Sequence, residues 1–157
     1  AGAERSPRLE QRRGAFVTLK REGALRGCLG SVVGTEPLWR SIVRLAVAAA
    51  TQDPRFAPVT ADELERLSEE ISVLTPPRPI APEEIEVGRH GLIVQRGPYS
   101  GLLLPQVATE HGLDREQFLE HTCLKAGLDR GAWRRAGTGI LGFEAQVFGP
   151  ERLVELL

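Results

Sequence analysis

Residues Phe16–Gly30 read FVTLKREGALRGCLG. Phe16 to Lys20 alternates and is rich in strand formers, and Leu25 to Leu29 follows as its hairpin partner across a turn at Arg21 to Ala24. Successive side chains of a strand point to opposite faces. On that rule Arg26 and Cys28 share one face, while Leu25 and Leu29 take the other. Gly27 and Gly30 leave room for another backbone or a ligand to come close.

Downstream, Thr35 is expected to cap a helix with Pro37 in its first turn. The helix runs from about Leu38 to Thr51 and is apolar over most of its girth, as a central core helix would be. Asp53-Pro54 ends it, because proline pushes the preceding residue out of helix. Thr60-Ala-Asp-Glu63 is a capping box before a short helix to about Leu67. A strand over Glu70 to Thr75 stops at Pro76-Pro77. Further strands are expected at Ile85–Val87, Leu92–Gln95 and Gly101–Leu104. Pro105 opens a helix, and Asp114 caps the next with Gln117 in the box position. Gly127 stops that helix and folds Leu128 back against Cys123. A short helix around Ala132 precedes a last strand over Gly142 to Phe148. Upstream of the hairpin, Ala1 to Arg13 reads as an irregular arm. Helices and strands mix without a strict βαβ rhythm, and two hairpins are visible. The expected fold is α+β, a mostly antiparallel sheet flanked by helices, formed by one domain over residues 14–157.

A chain of 157 residues can bury about 70% of its unfolded surface and needs no disulfide or metal to fold. The formal net charge is −1, so no global field draws the protein to nucleic acid or to an anionic membrane. Aromatic residues are scarce, which leaves few platforms for stacked bases. No apolar run approaches the ~18 residues of a membrane span. Two cysteines do not make a disulfide framework, and the expected compartment is the reducing cytoplasm. Asparagine, a thermolabile side chain, is absent, which points to a thermophile, although a GC-rich genome biases composition too.

Arg26-Gly27-Cys28 carries the sharpest chemistry, because a guanidinium beside a thiol stabilises the thiolate. A free cysteine is more often a small buried hydrophobe, and Cys123, on the inward face of its helix, reads as one. His90, flanked by glycines in Val87-Gly-Arg-His-Gly91, could offer an imidazole to a cleft as acid or base; the bland alternative is an exposed loop histidine. Arg55 in Asp53-Pro-Arg-Phe56 either pairs with Asp53 or joins Arg26 in holding a phosphate or carboxylate. His121 and Cys123 point apart on their helix, so no zinc site is expected. Gly137-Thr-Gly-Ile-Leu-Gly142 matches GxGxxG, but it runs into a strand rather than opening a helix, and reads as a turn.

Taken in order, FVTLK, LRGCLG, the alanine-rich helix, DPRF, ISVLTPP, VGRHG, GLLLPQVA and CLKAGL followed by Trp133 resemble the AMMECR domain family over about Gly14 to Phe148. The resemblance implies an antiparallel sheet flanked by helices, a smaller lobe, and a cleft near the LRGC signature. It implies the company of Memo-like and radical SAM proteins, and it brings no established activity or cofactor. Lys20, Arg55 and His90 match its other motifs. An N-terminal helix expected of the family is shortened or absent on this reading.

Two functions follow as expectations. The first is an enzyme on a small anionic substrate: Cys28 as nucleophile, His90 as acid or base, and Arg26, Gly27, Gly30, Lys20 and Arg55 binding the ligand. The second is a non-catalytic module that binds a small molecule or docks a Memo-like or radical SAM partner.

Overall fold

A computed structural model describes residues 6–152. Of the arm expected over 1–13, residues 1–5 lie outside the described part, as do 153–157 at the other end of the expected domain. The described chain mixes helices with antiparallel strands and is α+β. It falls into two compact units: the chain up to Leu74 together with the chain from Gln146, and Thr75–Ala145. Among the described residues no helix is long and apolar enough to cross a membrane.

In the first unit, α1 (Pro7–Glu10) is a single turn of helix within the expected arm. Strands β1 (Ala15–Arg21) and β2 (Ala24–Ser31) form the hairpin, and β3 (Leu67–Leu74) pairs antiparallel with the other side of β1. The far side of β3 meets the last strand, β7 (Gly139–Arg152), so among the described residues β2 is the edge. Helix α2 (Leu38–Thr51) covers one sheet face. Ala15, Val17 and Leu19 of β1 pack there against Leu38, Leu45 and Ala49.

Three expectations change in this unit. The residue capping α2 is Pro37, not Thr35, and no side chain caps the helix. The arm supplies the missing acceptor: the N–H of Leu38 donates to the carbonyl of Gln11 at 2.9 Å. Nor is α2 a wholly buried helix, for Val43 and Val47 are 61% and 59% exposed. The third change lies in β2. Leu19 pairs with Gly27 but Lys20 pairs with Leu25, so Arg26 is the extra residue of a bulge. Thr18 and Lys20 share a face of β1, and their partners Cys28 and Leu25 therefore share that face of β2. Gly27 and Leu29 take the α2 side.

The second unit holds β4 (Arg78–Pro79), β5 (His90–Arg96), β6 (Tyr99–Leu103), helices α3 (Pro105–Glu110) and α4 (Arg115–Lys125), and the first part of β7. β7 pairs with β4 and β5, and β5 pairs with β6, all antiparallel. Asp114 and Gln117 cap α4 reciprocally, side chain to backbone N–H at 2.8 and 3.0 Å. Gly127 stops it at φ 80°, where the N–H of Leu128 reaches the carbonyl of Cys123. Cys123 is fully buried with Val94 and Ala132. The strand expected at Ile85–Val87 is absent. Its place follows a 3₁₀ turn, Pro82–Glu84, in which Glu84 caps the N–H of Ala81. Ile85 enters the core without a strand partner, because its N–H is satisfied locally by the carbonyl of Pro82.

Candidate functional site

The signature strand is fastened to the chain beyond α2 by two arginine–carboxylate clamps. Asp53, only 4% exposed, holds the first. One carboxylate oxygen takes the backbone N–H and the Nε–H of Arg55, both at 3.0 Å. The other takes the Nη2–H of Arg55 at 2.8 Å and the backbone N–H of Cys28 at 3.0 Å. The hydrogen bond from Arg55, reinforced by that from Cys28, holds the Asp53 carboxyl far below the usual carboxylate range. Arg55 is in turn held more firmly protonated, chiefly by its hydrogen bond to Asp53. Its side chain remains 56% exposed, so the donors it does not spend on Asp53 face outward.

Glu63 holds the second clamp. Arg26, the bulge residue, places Nε and Nη2 on its two oxygens at 2.8 and 3.1 Å. Arg21 reaches the same carboxylate at 2.8 Å, and Glu63 also accepts the N–H of Thr60 at 2.9 Å. The hydrogen bond from Arg26, then that from Thr60, lowers the Glu63 pKa to about 2. Phe56 lies under both guanidinium groups, 5.9 Å from that of Arg26 and 5.5 Å from that of Arg55. A concavity of about 430 Å³ opens beside Arg26, lined by Arg21, Glu22, Leu25, Phe56 and Glu63 among others, and Cys28 is not part of its wall.

Cys28 stands on the sheet face opposite α2, half-buried, with Sγ 3.2 Å from Oγ1 of Thr18. Thr18 pairs across the other side of β1 with Glu70, so a thiol, a hydroxyl and a carboxylate occupy one cross-strand row. Lys20, one step along the same face, reaches Glu70 at 3.4 Å. Thr18, Glu70 and Glu63 were not among the residues singled out from the sequence. Thr18 and Glu70 could have been found by pairing the expected strands in register. Glu63 was visible only as half of a capping box.

The two signature glycines have steric reasons. A Cβ on Gly27 would stand 2.1 Å from the carbonyl oxygen of Ala49, in the last turn of α2. One on Gly30 would strike the ring of Phe16 at 2.3 Å. These glycines let helix and strand approach closely, and the space beside them is already filled. Thus Lys20, Arg26, Gly27, Cys28, Gly30 and Arg55 all fall in the first unit. His90 falls in the second, buried in β5, where its Nδ1 accepts the N–H of Glu86 at 2.9 Å.

A family model described as AMMECR1 matches residues 1–148. A protein of Methanosarcina barkeri is 49% identical over 153 residues, covering 94% of this chain and 75% of its own length. One of Thermococcus gammatolerans is 47% identical over 156 residues, covering 92% of this chain and 76% of its own. The crystal structure of the uncharacterized protein PH0010 from Pyrococcus horikoshii superposes with a TM-score of 0.84 at 45% identity, covering 90% of this chain and 75% of that one.

Proposed function

The chain belongs to the AMMECR1 family, and from that premise we propose that its first unit acts as an enzyme on a small anionic substrate, with Cys28 as the nucleophile. The observation that carries this reading is the row Cys28–Thr18–Glu70. A hydroxyl 3.2 Å from the sulfur can donate to a thiolate and stabilise it. Glu70, opposite Thr18 in the same row, is the carboxylate assigned to take up the thiol's proton. Arg55, which shares the Asp53 carboxylate with the backbone N–H of Cys28, keeps exposed donors and is the residue to meet the anionic group of the substrate. Lys20 adds a second cation on that face, shared with Glu70. Arg26 has a supporting role: Glu63 occupies its Nε and one terminal nitrogen, and the clamp holds the start of the strand.

The reading is tested by the rate of Cys28 alkylation against pH, followed peptide by peptide in the intact chain. Labelling of Cys28 at neutral pH clearly faster than in the unfolded chain, and slowed in Thr18→Val, supports a poised nucleophile. A Cys28 that reacts like a free thiol, with no change in Thr18→Val, removes it.

A second reading rests on a different feature of the same unit. Leu9, Leu38, Ile42, Ile71, Val73 and Phe148 line an apolar groove of about 680 Å³ rimmed by Arg8 and Arg13. Such a groove suits a protein partner, and a Memo-like or radical SAM protein is the partner the family resemblance implies. Co-purification that survives in wild type and is lost in Ile42→Asp would favour this module. Absence of any complex with such proteins would count against it.

A further inference from the structure

His90 lies in the second unit, 6% exposed. The N–H of Glu86 donates to its Nδ1 at 2.9 Å, so the neutral ring carries its proton on Nε2. That Nε2–H has no acceptor within hydrogen-bond reach among the described residues. The nearest carboxylate oxygen is Oε1 of Glu144, at 3.9 Å. Nε2 faces the opening, and a polar gap of this length asks for an oxygen between the two groups.

The gap opens into a concavity of about 200 Å³ whose wall includes Thr75, Arg78, His90 and Glu144. Its shape is built by close packing: a Cβ on Gly142 would stand 2.9 Å from the side chain of Ile80, and one on Gly91 would enter the Phe143 ring. Thr75 and Glu144 are locked together, since each donates its backbone N–H to the other, to the carbonyl of Glu144 and to Oγ1 of Thr75, both at 2.8 Å. The Thr75 hydroxyl therefore keeps its own proton to donate. Glu144 is oriented by the Nε–H of Arg89 at 2.7 Å, and Arg89 is braced in turn by Glu86. Arg78 is exposed and has no carboxylate partner among the described residues. Among those residues no three His, Cys, Asp or Glu side chains converge to hold a metal ion.

We propose that this concavity binds a small hydroxycarboxylate. Its hydroxyl accepts from Nε2–H of His90 and donates to Glu144, filling the gap between them. Its carboxylate meets the guanidinium of Arg78 and the hydroxyl of Thr75. The volume is below the ~300 Å³ at which pockets for drug-sized ligands begin, which limits the occupant to a few heavy atoms. His90 and Glu144 then hold one ligand oxygen from either side, one donating to it and one accepting from it. The site draws on no residue of the Cys28 row.

The experiment is a titration of the whole chain, with nitrogen-15 in its histidines, by glycerate, with acetate and glycerol as probes lacking the hydroxyl or the charge. The Nε2 resonance of His90 is assigned from His90→Gln. A saturable shift of that resonance is expected with glycerate, weaker by about tenfold or more for acetate and glycerol and in Arg78→Ala. Arg78 is exposed, so its loss leaves folding intact. Cys28→Ala should bind glycerate unchanged, which keeps this result apart from the fate of the thiol enzyme. No saturable shift with glycerate overturns the proposal and leaves the gap to water. Equal binding by Arg78→Ala overturns it as well.

Discussion

The two cysteines of this chain are a matched pair placed in opposite surroundings. Cys123 sits on α4 with no exposed surface, packed by Val94 and Ala132, and burial pushes its thiol up from the ordinary value. Cys28 sits on a half-open sheet face, with a hydroxyl at its sulfur and a buried aspartate on its backbone N–H. The first is an apolar space-filler that happens to be sulfur. The second is held by polar groups on two sides, one of them linked to a solvent-facing guanidinium. Exposure alone would separate them only by access; the polar shell is what would separate them by chemistry.

The largest effect expected from this contrast is kinetic. In the native chain Cys28 should label at least about 1,000-fold faster than Cys123, whose reaction must wait for the structure to open. Peptide mapping after a short pulse of iodoacetamide checks this, and equal rates would erase the contrast. Next in size is Gly27→Ala. Its methyl group would press on the Ala49 carbonyl at the helix–strand contact, and a loss of about 3 kcal/mol is expected in chemical denaturation. A neutral result would mean that α2 does not set the position of the Cys28 strand.

A smaller difference is expected when each thiol becomes a hydroxyl. Cys123→Ser buries a more polar group in an apolar pocket and should cost about 1–3 kcal/mol. Cys28→Ser keeps a partner in Thr18 and should stay within about 0.5 kcal/mol of wild type. Matching losses would show that the two sites are equally apolar. The most gradual effect is that of acid. Asp53 and Glu63 have folded-state pKa values below their ordinary ones, so they stabilise the fold fully above the ordinary range. Glu63 loses that contribution as pH falls from its ordinary 4.5 through about 2, and Asp53 does so lower still. A thermal midpoint flat across that interval would mean that the clamps around Cys28 add no net stability.

What could be read in advance follows a physical division. Features written within a few residues were legible. The span Leu38–Thr51, the Asp114 cap and the Gly127 stop each depend on neighbours in sequence. Features that depend on which strand lies opposite were not. The bulge at Arg26 exists only in relation to Leu19 and Lys20, and it turned the expected pairing of faces around. The partner of Arg26 was hidden in the same way, because Glu63 is 37 residues away and its local pattern spells only a cap. Thr18 and Glu70 carry no motif and acquire meaning through register. His90 showed the converse: its glycine-flanked setting suggested an open loop, yet the chain folds it into a strand with one nitrogen already bonded.

The aspartate clamp has a consequence for how molecules of this protein meet one another. β2 is a sheet edge, and an edge offers unpaired backbone donors to any passing strand. Here the N–H of Cys28 is already taken by Asp53, and the bulge at Arg26 breaks the straight run that a second strand would need to follow. The same carboxylate that positions the thiol thus seals the seam against self-association. Replacing it would free an edge as well as loosen a site, and the protein would become prone to aggregate along the very strand that carries its signature.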